Sequence, residues 1–589
     1  MNRNMKQYIG KIFTLAFILW NVNAGAQSQY DVIVNSTFSP TISDAQTKIT
    51  QQAIINDTIK TTKPTTYQVM PPVYNYQFQP EPINAPKVGR DKISRLYRNY
   101  IKFGVGNYWT PYLDLAVNSL RSTRYSVGAK VYHHSSWGKI KTYAPASYSD
   151  TKIDLFGEKY FKNYMLSGDM GYSHQLVHCY GFQPDSIFGE KYEDVKIKGK
   201  DIARQYHNAY AQVAFHNTAK PSDHKFNQYY GVLYDFLTDN NKHTYEHFLN
   251  VNILMNKDIA LKKSAYLNVG GKIGMDYQHN RWQNTHLNDS WVVQADPHVA
   301  LKYKEYYLKL GFDLAVSIEP KSKNGVQLHL YPDVEAHLTI VPNIFSIYAK
   351  IDGGIQQQRY WQAIQENPYL SDELSLGMIN RQARFYLGLQ TAISRSLTIG
   401  AGVSYAMYKG LPFFMPDTNH TFTYQDTTIQ LANTYTLIND SSYVLNAHFD
   451  LNYHYKDMLQ LGFNFDYYHY FISENLLCAW YKPEIVAQFD AQYTLLNKFV
   501  FKLDFYINAL AYRPEFINDN MKKQAMNPFF DFDFGFEYLW SKRFSIFADL
   551  NNFACLRNRL YYDYPTHRIN VLVGVKYAFG GESVTKKNN

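Results

Sequence analysis

Phe-Asp-Phe-Asp-Phe-Gly-Phe-Glu-Tyr is the sequence of residues 530–538, and in it aromatic side chains alternate with acidic residues or glycine. A β-strand points successive side chains to opposite faces, so this stretch has one apolar and one polar face. The same period of two recurs at 443–455, 499–507 and 569–579. The alternation predicts that the chain is built from long β-strands.

The predicted strands suit a membrane better than a soluble sheet. A soluble sandwich also alternates, but its strands are usually ~5–6 residues long, whereas a membrane-crossing strand needs ~9–11. Aromatic residues make up 17% of the chain and crowd the strand ends, as in interfacial girdles. The polar faces carry charges in strand after strand, which fits a wet lumen. We therefore predict an all-β fold, a transmembrane antiparallel up-and-down β-barrel.

The connections set the strand count and the orientation. We count about 22 strands, within a range of roughly 20 to 24, as expected of an even-numbered bacterial barrel. Tight turns such as 162–163 and 456–457 follow even-numbered strands, and long connections such as 359–381 and 409–440 follow odd-numbered ones. Because such barrels have short periplasmic turns and long outer loops, both termini are expected in the periplasm.

Four segments are predicted along the chain. Residues 1–26 combine a basic start, a short apolar core and a small-residue cleavage site, which favours a cleaved signal peptide over a membrane anchor. Residues 27–96 are rich in Pro and Thr and predict an extended periplasmic leader, either a flexible tether or a docking segment. Residues 97–579 form the barrel, and 580–589 a polar tail. The expected location is the outer membrane of a Gram-negative cell.

The chain carries no motif of a catalytic, phosphate-binding or paired-cysteine metal site, so we expect no enzyme activity, no cofactor and no bound metal. Three widely spaced Cys residues exclude a disulfide framework. Removing residues 1–26 takes away three cations and lowers the net charge from +9 to about +6 (9 minus 3). This mild charge without a dense basic tract does not indicate nucleic-acid binding.

Acidic side chains gather on the inferred lumen face of the last third of the barrel. They are Asp450, Asp466, Asp490, Asp504, Asp531, Asp533, Glu537 and Asp549, and the cations on that face are Lys502, Arg568 and Lys576. One hypothesis is an acidic wall that concentrates cations. The other is a neutral network in which these carboxylates pair with Lys or Arg from elsewhere. A register error of one residue would move any of these side chains to the opposite face.

Two long connections are candidates for a constriction or a binding surface. The segment 409–440 begins with an apolar stretch that includes Phe413, Phe414 and Met415, and the segment 359–381 includes Tyr360 and Trp361. Loops carry function because the scaffold frees them to vary. Ordinary loop packing is the alternative for both.

The end of the chain resembles the last hairpin of TonB-dependent receptors of the Bacteroidota type. This resemblance rests on the run Leu550-Asn551-Asn552-Phe553, the Tyr/Pro-rich run at 561–565, and a closing strand that ends in Tyr577 and Phe579 as its C-terminal signal. Segments around Pro342-Asn343 and Asn367-Pro368 look similar to the middle of such barrels. The resemblance implies a receptor-type barrel over about 97–579. Receptors of that family carry a globular plug before the barrel, and the 70 residues at 27–96 are too few and too irregular for one.

These observations support one function and one alternative. The first is a receptor-like or porin-like barrel that mediates passage or capture of solutes. The alternative is a plugless barrel that serves as a structural or assembly subunit of an outer-membrane complex. The expected partners are outer-membrane lipids, the barrel-assembly machinery during insertion, and a protein that fills or caps the barrel.

Overall fold

A computed structural model describes residues 97–580 except for 120–121, 189–196, 218–225, 240–243, 263, 282–286, 321–324, 372–373, 419, 425–426, 432, 474–475 and 518–519. The predicted signal peptide (1–26), the leader (27–96) and nearly all of the tail (580–589) lie outside the described residues.

Antiparallel β-strands make up most of the described chain. In order they are β1 (Asn99–Gly106), β2 (Thr110–Asn118), β3 (Tyr125–Ser136), β4 (Tyr148–Tyr160), β5 (Tyr164–His178), β6 (Ala203–Asn217), β7 (Phe226–Asp239), β8 (Thr244–Lys262), β9 (Ala265–Arg281), β10 (Leu287–Tyr303), β11 (Tyr306–Ile318), β12 (Val326–Val341), β13 (Phe345–Gln357), β14 (Met378–Ser394), β15 (Leu397–Pro416), β16 (Thr421–Tyr424), β17 (Thr427–Gln430), β18 (Tyr435–Tyr455), β19 (Leu459–Ile472), β20 (Ile485–Leu495), β21 (Phe499–Ala509), β22 (Tyr512–Ile517), β23 (Asn520–Ala525), β24 (Phe529–Tyr538), β25 (Phe544–Asn551) and β26 (Asn570–Phe579).

Short helices occupy two of the connections. They are α1 (Pro184–Phe188) and α2 (Gly199–Ile202) between β5 and β6, and α3 (Tyr360–Glu366) between β13 and β14. No helix within the described ranges is both long and apolar enough to cross a membrane.

Twenty-two of the strands form one closed sheet. Each pairs with its neighbour along the chain, and β1 also pairs with β26, so that Asn99 lies opposite Phe579 and Gly106 opposite Leu572. Closure leaves no unpaired edge, which is the condition for a sheet that spans a bilayer. The hairpins β16–β17 and β22–β23 stand outside this sheet. The predicted fold class and the count of 22 strands are confirmed.

Side chains alternate across the barrel wall as the sequence predicts. On β26, Val573, Val575 and Tyr577 are 52%, 39% and 42% exposed on the outer surface, while Leu572 just before them is buried toward the lumen. The outer face of β24 carries Phe534 and Phe536, and its lumen face carries the acidic residues. The exposed apolar surface therefore lies on the outside of the barrel, where a bilayer would cover it.

The two ends of the barrel differ in their connections. At one end most connections are short turns, as at 304–305 and 395–396, and we call this the turn end. At the other end seven connections are long, and we call this the loop end. The predicted alternation has exceptions at the loop end, where three residues, 107–109, join β1 to β2, four join β7 to β8, and five join β9 to β10.

The long connections pack together into one structure, which we call the loop cluster. It comprises the described residues of 137–147, 179–202, 358–377, 417–434, 473–484, 510–528 and 552–569. Its apolar core contains Trp480, Tyr360 and Leu370 together with the ends of strands such as β6 and β18. These connections leave strands from nearly opposite sides of the barrel, so the loop cluster extends across the mouth.

Candidate functional site

Aromatic contacts join the connections of the loop cluster. The rings of Tyr369 and Tyr564 are stacked with their centroids 3.5 Å apart and their planes 9° apart. Tyr561 Oη donates to Glu366 O at 3.0 Å, and Tyr180 Oη donates to Pro565 O at 2.9 Å. The last connection of the chain is thereby bonded to the connections after β5 and β13. Such buried contacts hold the mouth in one arrangement.

A buried ion-pair network ties the connection after β13 to the barrel wall. Arg359, just before α3, places Nη2 2.5 Å from Asp235 Oδ2 on β7 and 3.3 Å from Glu246 Oε1 on β8. Glu246 is fully buried, and its Oε2 also accepts from the backbone N–H of Tyr360 at 2.6 Å and from Gln278 Nε2 at 2.9 Å. The guanidinium lies 4.1 Å from the ring centroid of Phe248. This network fixes α3 against the lumen face of β7 and β8.

The segment predicted as a loop at 409–440 is largely strand, and that expectation is corrected. β15 continues to Pro416 and β18 begins at Tyr435, so Phe413 lies opposite Ile438 in the sheet. The register shifts between Tyr408 and Leu411, where Gly410 has a φ of +74°. A glycine bulge of this kind lets a strand bend and continue where the sequence suggests a stop.

Four of the five apolar residues predicted in these segments, all but Met415, belong to or pack against the apolar core of the loop cluster. Phe413 and Phe414 are 0% and 2% exposed, and Met415 beside them is partly buried opposite Thr436. Tyr360 is 2% exposed within α3, and Trp361 packs partly buried against the same core. The structure thus brings together residues from both candidate segments.

The predicted acidic residues all point into the lumen, and three of them form a row on neighbouring strands. Asp490 on β20 lies opposite Asp504 on β21, which in turn lies opposite Asp533 on β24. Asp533 Oδ1 accepts from the backbone N–H of Asn552 at 2.8 Å. In the described part of the chain, none of these three carboxylates has an ion-pair partner, and neither has Asp531. We call Asp490, Asp504 and Asp533 the carboxylate row.

Other members of the predicted acidic wall are paired. Asp549 lies 3.1 Å from Lys102 on β1, and Glu537 lies 3.7 Å from Lys576 on β26. His448 on β18 is placed between Asp450 (3.3 Å) and Asp466 (3.1 Å). Lys502 lies two residues before Asp504 on the same face of β21, and Arg568 is exposed just before β26. The predicted acidic wall therefore contains both unpaired carboxylates and carboxylates paired with cations, the two arrangements that the sequence left open.

A polar cavity of about 440 Å³ lies between the loop cluster and the lumen wall. Strands β3, β4, β5, β24, β25 and β26 contribute its wall, and Tyr180 and Tyr369 of the loop cluster contribute apolar surface. Its polar lining residues are His134, Ser147, Ser149, Asp150, Gln175, His178, Asp531, Asn551, Asn552, Asn558, Thr566, His567, Arg568 and Asn570. Among the described residues, no group of three His, Cys, Asp or Glu side chains is placed to hold a metal ion.

Four buried polar atoms that belong to this lining have no hydrogen-bond partner among the described residues. They are Asp531 Oδ1, Thr566 Oγ1, His567 Nε2 and Asn570 Oδ1. An unpaired buried polar atom costs free energy, so native structures satisfy nearly all such atoms. Their concentration around one cavity marks it as a site suited to a polar ligand.

Burial shifts the ionisation of groups within the loop cluster. It raises the pKa of the Asp563 carboxyl to about 6, although the guanidinium groups of Arg513 and Arg559 partly offset the shift. Burial lowers the pKa of His567, so its imidazole is neutral at neutral pH. It raises the pKa of the Cys478 thiol to about 12, so that this buried cysteine stays protonated.

The closing strand places its aromatic end on the outer surface at the turn end. Tyr577 lies opposite Ile101 of β1, and its ring is stacked with that of Phe579 at 6.0 Å. Sequence reasoning did not identify Arg359, Glu246 or Trp480 as site residues. The aromatic run at 561–565 contributes to the sequence analysis only through the family resemblance. Its dense aromatic side chains, of which Tyr561 and Tyr564 are buried, are the sequence signal for the loop cluster.

Comparison of the sequence with known families and with curated proteins finds no match. Comparison of the structure finds outer-membrane receptors and transporters. The pyoverdine outer membrane receptor FpvA of Pseudomonas aeruginosa PAO1 is 11% identical with a TM-score of 0.61, over 83% of this chain and 80% of that one. The siderophore receptor PirA of Acinetobacter baumannii is 12% identical with a TM-score of 0.60, over 83% and 81%. The copper transporter OprC is 10% identical with a TM-score of 0.56, over 82% and 81%.

Identities this low establish a shared fold and nothing finer. The chain shares the barrel fold of these receptors and this transporter. The expected receptor-like barrel is confirmed as a fold.

Proposed function

We propose that this chain is an outer-membrane barrel that captures a small polar solute beneath its loop cluster and passes it into the lumen. The observation that carries the proposal is the polar cavity with four unpaired buried atoms, placed directly under connections that meet across the mouth. An apolar outer wall and a polar lumen support the membrane location, with the loop end outward and both termini in the periplasm.

The lining favours a solute that is uncharged overall and rich in hydroxyl or amide groups. The charged lining residues are Asp531, Arg568 and Asp150, and the Asp150 carboxylate is paired with Lys152 Nζ at 3.1 Å; the remaining polar groups are amides, hydroxyls and imidazoles. Such groups both donate and accept hydrogen bonds, which suits a ligand that presents both. A cavity of about 440 Å³ lies in the usual range for small-molecule sites.

Calorimetric titration of the purified protein tests the proposal, with glucose and sucrose as uncharged probes and gluconate and glucosamine as charged ones. We expect binding of at least one uncharged probe. Replacing Asn570 by Leu should weaken that binding by about tenfold, because it removes a cavity amide and adds an apolar group. The matched control is Asn452→Leu, which alters a lumen amide of β18 outside the cavity. Binding of none of these probes, or equal losses in both variants, would contradict the proposed ligand class.

A second candidate function is a closed structural subunit of a larger outer-membrane assembly. It is favoured by the core of the loop cluster, since opening the mouth would expose Trp480 and Tyr435, which are fully buried. This candidate predicts a stable protein partner and no solute binding. Purification from membranes with gentle detergent, followed by identification of bound chains, distinguishes it from capture of a solute.

A further inference from the structure

The outer surface of the barrel carries a groove on β5, β6 and β7. Its floor is Ala209 and Ala211 of β6, which lie opposite Tyr172 and Met170 of β5. On the other side the same alanines lie opposite Phe236 and Tyr234 of β7. Two small residues between large ones leave an open apolar channel of about 610 Å³. It belongs to the exposed apolar surface and so faces the lipid.

Polar groups close the loop end of this groove. His207 Nδ1 is hydrogen-bonded to Tyr172 Oη at 2.7 Å, and His247 Nδ1 to Tyr234 Oη at 2.7 Å. The ring of His174 lies 4.7 Å from that of His207. Both groove walls thereby end in histidines within a few residues of the strand ends, where lipid headgroups meet water.

A cation lies next to these histidines. The ring of Tyr245 is 5.2 Å from that of His247, and the exposed guanidinium of Arg281 lies 6.0 Å from the centroid of the Tyr245 ring. The carboxylate of Asp289 on the neighbouring strand β10 lies 2.7 Å from His279 Nδ1. Arg281 therefore gives this surface a local positive charge beside the apolar groove.

We propose that this surface binds a membrane lipid with an anionic phosphate headgroup. One acyl chain lies in the groove over Ala209 and Ala211, and the headgroup contacts Arg281 and His247. Apolar burial in the groove and attraction of the headgroup act together, as in other sites for anionic lipids. The inference rests on the proposed membrane location and is independent of the solute in the lumen.

Native mass spectrometry of the purified protein tests this site. The protein is mixed with equal amounts of phosphatidylglycerol and phosphatidylcholine that carry the same acyl chains. We expect at least about fivefold more bound phosphatidylglycerol, since only its headgroup has a net negative charge. The double variant Ala209→Leu, Ala211→Leu fills the groove and should lose bound lipid of both kinds. Arg281→Gln should lose the preference while keeping some lipid.

Two control variants lie on the far side of the barrel, Ala447→Leu on β18 and His469→Ala on β19, and both should behave as the wild type. Equal binding of the two lipids by the wild type, or equal effects of Ala447→Leu and the groove variant, would overturn the lipid site. A protein that does not insert into bilayers would instead contradict the proposed location. The two failures are therefore distinguishable.

Discussion

Arg359 and Glu246 are 113 positions apart in the chain, yet Arg359 Nε and Glu246 Oε1 are 3.3 Å apart in a buried network. The pair joins the start of α3 to the lumen face of β8. It holds the connection after β13, which is part of the loop cluster, against the barrel wall. The first prediction concerns this contact.

Replacing Arg359 by Ala should loosen the connection 358–377, because it leaves the carboxylates of Glu246 and Asp235 buried without their cation. Removal of one partner of a buried ion pair costs about 3 to 5 kcal/mol. Limited proteolysis of the purified barrel should show faster cleavage within this connection. Lys482→Ala is the control, since it breaks a more exposed pair with Glu366 that should contribute at most ~1 kcal/mol. Equal protection of Arg359→Ala and the wild type would contradict the network's role.

Trp480 anchors the apolar core of the loop cluster, where it is fully buried. Trp480→Ala should destabilise the cluster by about 3 to 5 kcal/mol, through lost burial and the cavity left behind. Thermal unfolding followed by intrinsic fluorescence provides the measurement. Trp540→Ala is the matched control, because Trp540 is 68% exposed at the turn end and its replacement should change little. Similar losses in both variants would show that the core is not the stabilising feature.

Asp563 should make the loop cluster more stable in mild acid. Its pKa in the folded protein is raised to about 6 from 3.8, so burying the charged form costs free energy at neutral pH. The cost is relieved as pH falls through about 6 toward 4, by up to ~3 kcal/mol. His567 acts in the opposite direction, since its lowered pKa makes protonation below about pH 6.5 unfavourable.

The variant Asp563→Asn isolates the carboxyl, because His567 is present in both proteins and cancels in their difference. Unfolding temperatures should show the variant more stable than the wild type at pH 7.5, with the gap closing by pH 4.5. A gap that does not change between these values would contradict a raised pKa for Asp563.

The carboxylate row should set ion preference once the mouth is open. In a variant lacking 417–434, replacing Asp490, Asp504 and Asp533 by Asn should lower the ratio of cation to anion permeability several-fold, because unpaired lumen charges concentrate counter-ions. Reversal potentials in a salt gradient measure the ratio. Asp549→Asn in the same background serves for comparison, since Asp549 is already paired with Lys102. A ratio unchanged by the triple replacement would exclude the row as a selectivity element.

Much of the barrel is predictable because alternation is a local property. The run at 530–538 separates into an apolar and a polar face, and the same rule places the carboxylates of β20, β21 and β24 on the polar faces of their strands. The bulge at Gly410 is less predictable, because Gly-Leu-Pro after a strand usually marks a loop, and only the partner strand β18 shows that pairing continues.

The loop cluster is the least predictable feature. Nothing near Arg359 in the sequence indicates a partner at Glu246, since the two meet only after the sheet closes and the connection folds back across the lumen. The cavity beneath it combines residues from six strands and several connections, so no local sequence pattern predicts it. Its composition follows from topology rather than from spacing along the chain.

Single-channel recording in planar bilayers tests the central claim most directly, with the wild-type mature protein beside a variant lacking 417–434. A mouth closed by the loop cluster predicts a silent wild type and steady conductance in the variant, because removing that connection takes away Leu431, which is buried in the apolar core, and Asn433, whose amide donates to Cys179 O at 2.9 Å. Large, steady conductance in the wild type would contradict a closed mouth and the account built on it.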